Sequence, residues 1–128
     1  MISVARAADL CLTPWRHAVR FKGGNPTTEV GDDEQRAAVE SRDCELLIEA
    51  RDAEGIRAPE QDFVLEIYRS GEDLNLMLSS VLDESSPLLW HGNHPVWMKA
   101  DNGERCQRPP QGERLEAFCR RLRAGVIS

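Results

Sequence analysis

Apolar and polar residues alternate with a period of two through most of the chain, and that period predicts strands. From Trp15 to Lys22, large apolar or aromatic residues alternate with basic ones, which puts Trp15, His17, Val19 and Phe21 on one face. Cys44, Leu46, Ile48 and Ala50 form a second stripe within 44–52, and Phe63, Leu65 and Ile67 a third within 63–68. Ser70-Gly71-Glu72-Asp73 supplies turn chemistry before Leu74, Leu76 and Leu78 alternate with Asn75, Met77 and Ser79.

Residues 86–108 read as two linked hairpins. Leu88 to His91 and His94 to Ala100 are strands around a Gly92-Asn93 turn, and a short third strand, Arg105 to Arg108, follows Asn102-Gly103. Asn-Gly is the favoured pair for a two-residue type I′ turn. With both turns two residues long, His91 pairs with His94, Leu89 with Val96, and Lys99 with Cys106. The imidazoles then share a face with Leu89, Val96 and Met98. Trp90 and Trp97 share the other with Leu88, Pro95 and Cys106, because neighbours along a strand alternate. Pro95 has no amide hydrogen, so its nitrogen belongs on an unpaired side.

Near the C-terminus the period changes to that of a helix. Leu115, Phe118, Cys119 and Leu122 fall at i, i+3, i+4 and i+7, one stripe on one face. Glu113 and Glu116 come early and Arg120, Arg121 and Arg123 late, as the helix dipole favours, and Gly125 is placed to end the helix. Residues 32–41 open with aspartates and continue with helix formers, predicting a short helix; residues 1–12 read as a short helix or a flexible arm. The expected fold is α+β: an antiparallel meander of about five to seven strands packed by the amphipathic C-terminal helix. All 128 residues make a single domain, with a turn-rich stretch from Gly23 to Thr28.

Charge refines this picture. The net charge of −6 is uneven: residues 1–28 carry +3, residues 29–84 carry seventeen carboxylates against five arginines, and residues 85–128 carry +3. Carboxylates alternating with apolar positions in the central part read as a solvated sheet face. Arginine outnumbers lysine fourteen to two, as expected of a GC-rich bacterial genome. Four cysteines are scattered without a CxxC pair, no cleavable leader is visible, and no run nears the roughly 18 apolar residues that span a bilayer. Reduced thiols in the cytoplasm account for the cysteines most simply.

Candidate chemistry is sparse. His91 and His94 flank a turn with Cys106 nearby in sequence, but the paired register points the thiol away from the imidazoles, leaving two ligands where zinc needs three or four. No phosphate loop, GxSxG elbow or HExxH is present, and none of Ser79, Ser80, Ser85 and Ser86 is marked as a nucleophile. No catalytic, cofactor-binding or metal residue is therefore assigned, and no cofactor is expected. The leading expectation is a non-enzymatic accessory protein. It would bind a protein partner through a sheet edge or through the hairpin of Trp90, His91, His94, Pro95 and Trp97, with a homodimer as an accompanying state. On that reading Trp97→Ala weakens partner capture more than stability. Two alternatives stand beside it. One is a single-strand nucleic-acid surface built from Arg16, Arg20, Lys22, Arg114, Arg120, Arg121 and Arg123 with the tryptophans, against which the pI near 5.1 weighs. The other is a small enzyme or metal protein using His91 and His94.

Overall fold

Among the described residues, seven strands follow one another across one sheet, each antiparallel to the next, so their order in space is their order in the chain. The computed structural model describes residues 3–22, 30–40, 43–81 and 86–127. The strands are β1 (Arg16–Phe21), β2 (Cys44–Arg51), β3 (Phe63–Ser70), β4 (Asp73–Ser80), β5 (Leu88–His91), β6 (Pro95–Met98) and β7 (Arg105–Cys106). Among the described residues, three α-helices, α1 (Val4–Cys11), α2 (Asp32–Glu40) and α3 (Gly112–Ile127), complete an α+β architecture. The predicted stretch 23–28 lies outside the described residues.

The strand stripes behave as their period dictates. Val19 pairs with Ile48, Leu46 with Leu65, Ile67 with Leu76 and Leu78 with Leu89, so one sheet face becomes a continuous aliphatic floor. The stripe of α3 lies on that floor: Phe118, Cys119 and Leu122 are buried in the same cluster as Leu74, Leu76, Leu89 and Trp97. Complete burial of a side chain the size of Phe118 contributes about 2–3 kcal/mol. Gly125 does not end the helix, which runs on to Ile127; the glycine has no positive φ there, so it makes no left-handed cap.

Within the first twelve residues, Val4–Cys11 form a helix. Ser3 caps α1 by accepting from the Arg6 amide at 3.3 Å, and Val4, Ala7 and Ala8 are buried. An eight-residue helix is too short to persist alone, so its neighbours hold it. It packs on β1 and α3. Buried Gln35 of α2 fastens it further, accepting from the Ala5 amide at 2.9 Å and donating to the Val30 carbonyl at 2.7 Å.

A charged cluster fastens the loop that follows β2. Buried Asp62 accepts from the Ala50 amide at 2.7 Å and takes both Arg57 nitrogens, at 3.0 and 2.7 Å. Arg57 also meets Glu49 at 3.1 Å, and Glu49 pairs in turn with Arg20. The loop from Asp52 to Asp62 is thereby tied to β2 and β1.

Both turns near the C-terminus are longer than expected. His91 pairs with Pro95, not His94, so the first loop is Gly92-Asn93-His94; Trp97 pairs with Leu89 and Val96 with Trp90. Neither Gly92 nor Asn93 has positive φ, so the two-residue primed turns that require it are not formed. In the second turn only Gly103 has positive φ, and the loop spans 100–103 between Lys99 and Glu104, whose N–H···O bond measures 2.7 Å. Shifting β6 by one residue sends every side chain on it to the opposite face.

Candidate functional site

That shift separates the two tryptophans. Trp97 lies on the helix-covered face, 5% exposed, with its indole N–H donating to Glu116 of α3 at 3.3 Å. Trp90 lies on the opposite face, half-buried, donating to the Tyr68 hydroxyl at 2.9 Å. Each ring rests on a glycine. A Cβ on Gly92 would stand 2.9 Å from Trp90 Cζ2, and one on Gly112 would stand 2.8 Å from Trp97 Cζ2. No alanine fits at either place without a shift of the ring.

The expected joint platform of Trp90 and Trp97 is therefore corrected: Trp97 belongs to the core and Trp90 to the far face. The histidines also part. His91 is buried beside α3, while His94 is exposed in the loop and lines a recess of about 470 Å³ with Tyr68, Asn75, Trp90, Val96 and Arg105. His91 does not line that recess. Pro95, opposite His91, opens β6 beyond the reach of the two-residue strand β7, so its missing amide hydrogen costs no ladder bond. Cys106 pairs with Trp97 in place of Lys99, so it shares the face of Trp97 as expected, but the one-residue shift of β6 brings that face to the side of His91 and away from Trp90.

Burial lowers the His91 pKa below the ordinary histidine value, and the Arg123 and Arg120 guanidiniums lower it further. His17 is lowered too, by burial, although Asp9 holds its Nδ1 at 2.9 Å and pulls the other way. Burial raises the Cys119 thiol well above its usual range, so it stays protonated and inert. No group of three or more His, Cys, Asp or Glu side chains able to hold a metal occurs among the described residues. Ser79, Ser80 and Ser86 line a separate concavity of about 400 Å³ with Pro87, Pro109 and Leu115, and no histidine lines it. Ser85 is outside the described residues.

The basic residues do not assemble into one surface. Arg20 is paired with Glu49 and Lys22 with Glu45 at 3.2 Å, on the far face of β1 and β2. Arg114 donates to the Thr13 carbonyl at 2.7 Å, and Arg123 to the Leu74 and His91 carbonyls, on the helix side. The sheet stands between the two groups.

What the far face does assemble is apolar. Leu47 pairs with Val64, Met77 with Trp90, Trp90 with Val96, and Leu88 with Met98. These seven side chains are half-buried by one another. The helices pack on the opposite face, and no described element lies over this band. A second recess of about 450 Å³ continues it toward β2, lined by Leu47, Val64, Met77, Leu88, Glu45 and Lys22. The carboxylates along these strands predict a solvated face. The opposing signal in the sequence is that Leu47, Val64, Met77 and Val96 sit between the core positions, making these strands apolar on both sides.

No described helix is long and apolar enough to cross a membrane. No curated protein and no solved structure matches the chain. A family model does match, over residues 1–125, and the chain belongs to that family, described as Domain of unknown function (DUF8659).

Proposed function

We propose that this domain is a non-enzymatic recognition module that binds a protein through the uncovered face of its sheet, with Trp90 as the anchor. The observation that supports this is the apolar band of Leu47, Val64, Met77, Leu88, Trp90, Val96 and Met98, over which no described element packs. Contiguous apolar surface ringed by polar groups characterises protein-binding faces, and tryptophan is enriched where binding energy concentrates. Glu45, Glu66, Lys22 and Arg105 supply the polar rim. The reading keeps the hairpin of β5 and β6 in the interface through Trp90 and His94, and moves Trp97, His91 and Pro95 out of it. No disulfide joins the four cysteines, which suits a reducing compartment, and we place the module in the cytoplasm.

A photo-crosslinking residue in place of Val96 tests this reading in the native cell. It should yield a discrete adduct that the same residue at exposed Arg121, on the helix side, does not. Equal adducts from both positions, or none from either, would remove the sheet face as the binding surface.

A further inference from the structure

We propose that the occupant of this face is a second copy of the chain, stacked sheet on sheet about a two-fold axis parallel to the strands and passing over β5. The inference rests on the reading that the face is a protein-binding surface, and it adds the partner. Its argument is charge. Among the described residues Glu66 on β3 and Arg105 on β7 make no ion pair, and both are exposed on the apolar side of the sheet. Glu66 stands directly opposite Glu45 in the β2–β3 ladder, and Lys22 answers only Glu45. Like charges facing each other across strands are unfavourable, so Glu66 is better placed with a cation from outside.

The strand order supplies that cation. β3 and β7 lie two strands to either side of β5. An axis running along β5 therefore lays β3 of each copy over β7 of the other and β4 over β6. Such an interface is self-complementary, each contact occurring twice. Trp90 and Leu88 fall beside the axis, and Met77 of one copy falls over Val96 of the other. Glu66 shares its row with Trp90 and Val96, while Arg105 pairs with Met98 in the adjoining row. Neighbouring rows on one face are roughly 7 Å apart, within the span of an arginine side chain when sheets pack about 10 Å apart. The pairs β1 and β2, already satisfied by Arg20–Glu49 and Lys22–Glu45, extend beyond the overlap. The other in-plane axis, across the strands, lays β3 on β3 and β7 on β7. Glu66 would then meet Val64 or its own copy, and Arg105 would meet Arg105, with no compensation for either charge.

Sedimentation of the full chain across about 2 to 200 μM reads the outcome, a range suited to an interface at the small end of the stable class. The native chain should pass from monomer to dimer within it. Glu66→Arg and Arg105→Glu should each weaken self-association at least about tenfold, because each sets two pairs of like charges together. Mixing the two variants should recover dimer, since both contacts in the mixed pair are again opposite in charge. Both positions are exposed, and circular dichroism checks that the variants remain folded. A native chain monomeric throughout, or a mixture no better than either variant alone, overturns the second copy. In that event an adduct at Val96 with a different protein leaves the recognition reading intact, whereas no adduct removes both.

Discussion

Replacing each tryptophan by alanine separates the two faces of the sheet. Trp97 is enclosed by Leu89, Cys106 and the start of α3, where Gly112 already touches the ring. The backbone there has little room to follow a shrinking side chain, so Trp97→Ala leaves a cavity and should cost about 3–5 kcal/mol. The lost bond to Glu116 adds little, because that carboxylate keeps Arg108 and Arg120, each at 3.8 Å. Trp90 is half-buried on a face that water can reach, and truncation there returns the Tyr68 hydroxyl to solvent. Trp90→Ala should cost only about 1–2 kcal/mol. For a chain of this length the melting temperature should fall by roughly 10–20 °C in the first case and 3–8 °C in the second. Differential scanning calorimetry measures both. Trp97→Phe, which restores most of the volume, should recover more than half the loss. Equal losses from the two truncations, or a larger one from Trp90, would mean that the helices cover the wrong face and would refute the assignment of core and interface.

Asp62→Asn should lower stability by about 2–3 kcal/mol in urea titration, because Arg57 loses its bidentate partner and the Ala50 amide a charged acceptor; a loss below half that would show the cluster to be ornamental. Stability should also fall as pH drops below about 6.5: His17 and His91 have lowered pKa values when folded, so the unfolded chain binds more protons in that window. Their contribution is complete above the unfolded value and is lost as the pH falls toward the folded ones. The double variant His17→Asn, His91→Asn should flatten this slope, and an unchanged slope would assign it to carboxylates. Native protein at pH 8 should react with a thiol reagent at Cys11, Cys44 or Cys106 but not at Cys119, whose labelling should await denaturant.

The parts of the fold that could be read from the chain are those where one face is apolar and the other polar. Cys44, Leu46, Ile48 and Ala50 all turn to the helices, as do Leu74, Leu76 and Leu78, and the stripe of α3 meets them there. Pro95-Val96-Trp97-Met98 offers no alternation, so its orientation depended on the length of one turn, and a single residue reversed it. The recognition face was hidden for a related reason. Met77 reads as a gap between core positions and Val96 as the partner of Leu89; the actual pairing brings both beside Trp90. The helix α1 was ambiguous because eight residues carry too little preference of their own; Gln35, thirty residues distant, makes the decision.

The meander also orders events during synthesis. Every strand can pair with its predecessor as it leaves the ribosome, yet α3 comes last, and Leu76 and Leu89 have no lid until it emerges. For that interval the nascent sheet is greasy on both sides, the state in which chains most readily stick to one another. A stop codon placed before Gly112 would make that interval permanent, and the truncated product should go to inclusion bodies.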